Sequence, residues 1–144
     1  MPVHVSGMTT TFTFTSTPNG EGSNHGVVFL IQNDGNLVTG EYGPGLGYAD
    51  ATPGDYSGVS NSIAIEFDCV LDASMGDPSP THVSVHTRNV TFNSAEETFS
   101  IGVNPSLPTS LCNGEVRPNL PFSQAPTGTM TIFCGKINNK NKNK

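Results

Sequence analysis

Positive charge is scarce in this chain and absent from its first half. Its 144 residues carry six Lys and Arg against twelve Asp and Glu, and the first cation met is Arg88. A phosphate-binding surface needs clustered cations, and the only cluster, Lys136 to Lys144, is interleaved with Asn and reads as a solvated, disordered tail over residues 138–144. Nucleic acid is therefore not expected as a partner. There is no Trp, and no apolar run approaches the roughly 20 residues that cross a bilayer, so no membrane span is expected. Residues 1–8 carry no charged and apolar leader; a signal for export would lie outside the sequence given. The three cysteines, Cys69, Cys112 and Cys134, lack the spacing of a zinc site. They allow at most one disulfide within the chain, with a spare thiol and the pairing open.

What is abundant points to strands. Thr, Val, Ile and Phe recur in short runs separated by Gly, Pro, Ser and Asn, and no helical period emerges, so the class expected is all-β. The length suits one domain, over residues 1–137. Thr9 to Thr15 alternates Thr with Phe12 and Phe14, a half-buried strand. Val27 to Ile31 is a continuous apolar run closed by Asn33-Asp34-Gly35, which suits a central strand covered on both faces. Gly35 to Gly58 is rich in Gly and without sustained period. It reads as a long surface loop whose glycines let backbone approach a ligand. Further strands are expected at Val90 to Phe92, Thr98 to Val103 and Thr129 to Phe133, with Pro105 to Pro126 irregular.

Between them, Glu66-Phe-Asp-Cys-Val-Leu-Asp-Ala-Ser-Met-Gly-Asp-Pro-Ser-Pro-Thr-His82 places Glu66, Asp68, Asp72 and Asp77 in a stretch with no Lys or Arg. Anions held together in a folded chain need protons or a bound cation. Ile63, Ile65 and Phe67 alternate with Ala64, Glu66 and Asp68, which puts two carboxylates together on the solvent or ligand face of a strand. A return strand over Val83 and Val85 would bring His82 beside Glu66 and Asp68. Carboxylates suit a hard cation such as Ca²⁺, and an imidazole admits a transition metal as well. His4 and His86 read as surface or strand residues rather than ligands.

Those residues carry a resemblance. Ser60 to Asp68, Gly76-Asp77-Pro78 and His82-Val83-Ser84-Val85 resemble the metal-binding segment of legume-type (L-type) lectin domains, in the concanavalin A-like lectin/glucanase superfamily. Thr9 to Phe14, His25 to Asp34 and Gly45-Leu46-Gly47-Tyr48 are similar to upstream family segments, so the likeness spans most of residues 3–103. It implies a jelly-roll β-sandwich of antiparallel sheets that binds sugar beside paired ions. Position by position, Glu66, Asp68, Asp77 and His82 would hold Mn²⁺ or another transition metal, and Asp68, the Val70 carbonyl, Asp72 and Asp77 would hold Ca²⁺. The ions would fix loops against a glycan or glycoprotein rather than do chemistry.

The family pattern is broken where sugar would sit. His25 stands in place of the sugar-binding Asp, Val70 in place of a stacking aromatic, and Asp72 in place of an Asn that both donates to sugar and coordinates calcium. Gly43 and Gly45 are both candidates for the glycine whose N–H meets the sugar. Family domains are longer, so the chain is expected to be truncated at both ends, with exposed strand edges that invite homo-oligomers. The resemblance also implies an extracellular or secreted setting, with which the acceptor pattern Asn89-Val90-Thr91 is compatible. A structural or adhesion domain that has lost sugar binding is the alternative. A glycoside hydrolase on the same sandwich is disfavoured, because the strand with Glu66 and Asp68 continues with Val70 and Leu71 and offers no further acid. No enzymatic activity is expected.

Overall fold

The computed structural model describes residues 7–15, 25–55, 57–106, 112 and 127–135. The expected tail at 138–144, His4 and nearly all of the Pro-rich stretch lie outside them. Six strands form in chain order: β1 (Gly7–Thr15), β2 (Gly26–Gln32), β3 (Ser62–Asp68), β4 (His82–His86), β5 (Ser100–Asn104) and β6 (Thr127–Gly135). All pairings are antiparallel. One sheet pairs β1 with β6; the other runs in the order β2-β3-β4-β5. The described residues contain no α-helix, only 3-10 turns at Gly43–Gly45 and Glu97–Phe99. The all-β expectation holds.

The four-stranded sheet follows from the alternation read in the sequence. In β2 and β3, Val27 pairs with Phe67 and Phe29 with Ile65, while Val28 meets Glu66 and Leu30 meets Ala64. Paired residues share a face, so one face is apolar and the other carries Glu66, Asp68 and, from β4, His82, Ser84 and His86. The two sheets touch through Phe12 and Phe29, whose rings stack with centroids 5.2 Å apart.

Burial reverses the ordinary arrangement. Glu66 and Asp68, expected toward solvent or ligand, are buried, whereas Ile63 on the apolar face is 45 % exposed. The cover over the polar face is the Gly35 to Gly58 segment, which is not a surface loop throughout: Tyr48, Ala49 and Asp50 are fully buried, and Tyr48 and Ala49 pack with Ala64, Ala95, Val28 and Leu30. Its glycines serve approach by the chain itself. A Cβ on Gly40 would collide with the Ala49 amide nitrogen, and one on Gly58 would collide with the Asn93 carbonyl oxygen.

Two strand expectations are corrected. Residues 90–92 are not a strand: the chain turns at Asn89 and Val90, because Asn89 adopts a left-handed backbone (φ 57°) and the Thr91 N–H closes on the Arg88 carbonyl. The expected strand at Thr98 starts only at Ser100, since the Glu97–Phe99 turn intervenes. That displaced segment is held beneath the sheet by Asn93, whose side-chain amide donates to Ser62 Oγ and to the His86 carbonyl. It brings Glu97 to the polar face.

Candidate metal centre

β3 and β4 are in a register that puts His82 opposite Asp68 and Ser84 opposite Glu66. The antiparallel return therefore brings His82 to Asp68 and Glu66, as the alternation suggested. Ligand-type atoms of Glu66, Asp68 and His82 lie within 4.8 Å of one another, and so do those of Glu66, His86 and Glu97. Asp72 and Asp77 belong to neither group. They face each other across the turn at 72–77, where the Asp72 N–H donates to Asp77 Oδ2 and Asp72 Oδ1 accepts from the N–H and hydroxyl of Ser74. Val70 follows β3 closely, its N–H donating to Asp68 Oδ1 at 2.8 Å. A backbone bond from the Glu97 N–H to the Met75 carbonyl ties that turn to the residues below the sheet.

Side chains in the buried group are oriented by partners outside it. Tyr48 donates from its hydroxyl to Glu66 Oε2 at 2.6 Å, and Ser84 donates to Glu66 Oε1 at 2.8 Å. His82 Nδ1 lies 3.1 Å from the Ser79 carbonyl, which can only accept, so Nδ1 carries a hydrogen and Nε2 faces inward. That Nε2 is 3.2 Å from Glu97 Oε1 and 3.7 Å from Glu66 Oε1, yet has no hydrogen-bond partner among the described residues. His86 Nε2 is 3.3 Å from Glu66 Oε1, 3.6 Å from Glu97 Oε1 and 2.8 Å from Ser84 Oγ. Glu97 Oε1 is likewise buried without a hydrogen bond among these residues.

The electrostatics follow from burial working against pairing. Burial pushes the Glu66 carboxyl up, but His82, His86 and Tyr48 outweigh it and hold it at about 2. Burial lowers the affinity of both imidazoles for protons, and the carboxylates more than reverse this: Glu66, Asp68 and Asp77 lift His82 to about 9, and Glu66 and Glu97 lift His86 to about 9. Asp68 is pushed up to about 7 by burial and by the like charges of Glu66 and Asp77, against the Val70 N–H. Burial and the Glu66 charge drive the Tyr48 hydroxyl well above its ordinary value, so it stays a donor. The group is built to hold positive charge among carboxylates, as protons or as a cation.

Sequence reasoning missed three members. His86 is on a strand as expected, but it is buried among carboxylates rather than at the surface; its signal was the alternation that already placed His82 and Ser84 on one face. Tyr48 was read only as part of a glycine-rich loop. Glu97 gave no signal, because a turn and no period connects it to β4.

The candidate sugar residues are set apart by their backbones. His25 sits just before β2, its carbonyl accepting from the Cys69 N–H at 2.7 Å. Gly43 (φ 70°) has open space where a Cβ would stand, with nothing within 4 Å, whereas Gly45 is buried and a Cβ there would lie 3.0 Å from the Asp50 carbonyl oxygen. Next to the acidic stretch, Cys69 is bonded to Cys112, which settles the pairing left open by the sequence. Among the described residues no helix is long and apolar enough to cross a membrane. Residues 3–116 match the family model for the legume lectin domain. No curated protein matches the chain.

Proposed function

The chain belongs to the legume lectin family, and from that premise we propose that it is a non-enzymatic, metal-dependent module that binds glycans or glycoproteins outside the cell. Family membership supports carbohydrate binding, and the antiparallel sheets support the jelly-roll scaffold. The observation that carries metal dependence is the fully buried His82, whose Nε2 faces carboxylates without a hydrogen bond among the described residues. A buried polar atom left in that state is costly, and a cation would satisfy it.

In the family arrangement Glu66, Asp68, Asp77 and His82 would hold Mn²⁺ or a similar ion, and Asp68, the Val70 carbonyl, Asp72 and Asp77 would hold Ca²⁺. Such ions neutralise the carboxylates and fix the 68–77 loop for ligand. The chain's own residues supply the rest. Tyr48 and Ser84 orient Glu66, and Ser79 sets the His82 tautomer. Between the two glycine candidates, open space at Gly43 supports that position for contact with sugar, while His25 and Asp72 offer polar groups at the chain's remaining family positions.

One observation favours the alternative of a domain that keeps the fold without the sugar. Asp72 Oδ1 is engaged by Ser74 within its own turn. A glycan array read with and without chelator separates the readings: chelator-sensitive binding supports the lectin, silence supports the structural domain, and turnover of a β-glucan would support a hydrolase. Thermal melting gives a second check. Ca²⁺ and Mn²⁺, each at about 100 times its Kd, should each add about 2.7 kcal/mol of stability; an unchanged Tm would count against metal dependence.

A further inference from the structure

The turn after β4 carries an acceptor pattern that neither the metal centre nor the sugar positions use. Asn89-Val90-Thr91 is the one place in the chain where Asn is followed by a residue other than Pro and then by Ser or Thr. Asn104 also has a Ser two residues on, but Pro105 stands between them, and its Oδ1 accepts from the Ser106 N–H. Such a pattern arises often by chance, so its structural setting decides whether it can carry an oligosaccharide.

The turn holds together without the Asn89 side chain. The Asn89 N–H donates to Thr87 Oγ1, whose own hydroxyl donates to the Ser62 carbonyl. The Thr91 N–H and hydroxyl both close on the Arg88 carbonyl, at 3.2 and 2.9 Å. Arg88 donates to the Phe92 carbonyl, and its guanidinium carbon lies 4.3 Å from the centre of the Phe99 ring. The Asn89 side-chain amide makes no hydrogen bond among the described residues, and Asn89 to Phe92 are all exposed. Its left-handed backbone is one that Asn adopts more readily than other residues with a side chain. An attached sugar would therefore displace no contact of the fold.

We propose that Asn89 is an N-glycosylation site. The inference rests on the extracellular reading above, and the Cys69–Cys112 disulfide supports it independently, since such bonds form in the oxidising secretory lumen where Asn-linked sugars are added. The donor is a lipid-pyrophosphate-linked oligosaccharide. The Asn89 amide nitrogen bonds to the anomeric carbon, the bond from that carbon to the pyrophosphate oxygen breaks, the lipid pyrophosphate leaves with the electron pair, and the nitrogen gives up one proton. The transferase reads the Thr91 hydroxyl, which the folded turn commits to the Arg88 carbonyl, so transfer precedes closure of the turn. Once in place the glycan would shield Val90 and Phe92, which are 73 % and 48 % exposed. It would also stay clear of the metal centre. Asp68 pairs with His82 and with Gly26 at one end of the sheet, beside His25, Val70 and Asp72, whereas Asn89 follows His86 at the other end. The strand length between those ends, at roughly 3.3 Å per residue, keeps the two apart.

The full chain, fused to a cleavable secretion leader, is made in eukaryotic secretory cells and examined by intact mass and peptide mapping. The expected result is a single N-linked glycan on Asn89, with enzymatic release collapsing the mass to that of the bare chain and converting Asn89 to aspartate. Asn89→Gln and Thr91→Ala should each abolish the modification, whereas Thr91→Ser, which keeps the hydroxyl, should retain it. Transfer precedes folding, so a variant that folds poorly still reports on the site. An unmodified Asn89 in chain that has passed through the pathway overturns the assignment, as does a glycan that survives Asn89→Gln. The supplied leader separates this outcome from the extracellular reading, which fails instead if the native gene product never leaves the cell. The glycan array fails or succeeds apart from both.

Discussion

The two faces of the β2–β5 sheet differ in a way that hydropathy does not foretell. One carries Ile31 and Ile63, which stay 38 % and 45 % exposed; the other carries Glu66, Asp68, His82, Ser84 and His86, which are buried. Charge can be placed inside when every anion has a cation or donor to meet and the cover is close-packed. Here the cover is Tyr48, Ala49, Asp50 and the 93–97 segment, brought close by Gly40 and Gly58. The apolar face owes its stability to area removed from water, the polar face to matching. Loss of a single partner is therefore felt very differently on the two sides.

The largest loss on the polar face is expected from removing Glu66. Glu66→Ala leaves two buried imidazoles and the Tyr48 hydroxyl without their shared acceptor. It should cost about 3–5 kcal/mol in a urea unfolding measurement. A loss no larger than that of an ordinary surface change would mean the polar face is not held by matching. Next in size comes the Cys69–Cys112 bond, which closes a sequence separation of 43 residues beside the buried carboxylates. Cys112→Ser should lower stability by about 2–4 kcal/mol, read as a fall in the urea midpoint.

A smaller and more diagnostic effect is expected from pH in the metal-free protein. His82 and His86 bind protons more tightly folded than unfolded, at about 9 against an ordinary 6.5. The stability they confer is whole below about 6.5 and is lost as pH rises through about 9. Asp68, lifted from 3.8 to about 7, adds to the loss up to its folded value. Glu66 works in the opposite sense: held at about 2 against 4.5, it contributes above 4.5 and its contribution disappears as pH falls toward 2. Melting from acid to alkali should thus show a maximum on the mildly acidic side. A bound transition ion should flatten the alkaline limb in part, because it would take the place of the His82 proton. A Tm unchanged between about pH 6 and 9 without metal would contradict this. The smallest effect belongs to the apolar face, where Ile63→Ser should cost about 1 kcal/mol or less, since the side chain already keeps nearly half its exposure.

Much of the fold was legible from residues alone. The alternation over Ile63 to Asp68 and Val83 to His86 marked the strands, and the pairing of His82 with Asp68 followed from a hairpin return. Thr9 to Thr15 and Val27 to Ile31 lie within β1 and β2 as expected, but β2 is not the central strand that its apolar run suggested: among the described residues it stands at the end of the β2-β3-β4-β5 order, and its residues are only partly buried. Local pattern failed where it was interrupted by one residue's conformation. The left-handed Asn89 turns 90–92 away from strand geometry, although Val90 and Thr91 favour it. It also failed for Tyr48 and Glu97, which reach Glu66 and His82 through segments that have no period to extrapolate.

Residue order was enough to settle the class of fold, most of the strands, the acidic segment and the family, because strand alternation is a local property that pairing preserves. Tertiary packing alone decided which face was covered, that Cys69 meets Cys112, and that His86 and Glu97 join Glu66 and His82. Those outcomes depend on contacts between segments far apart in the chain. There the balance of desolvation against pairing is set by what packs overhead, not by the residues alongside.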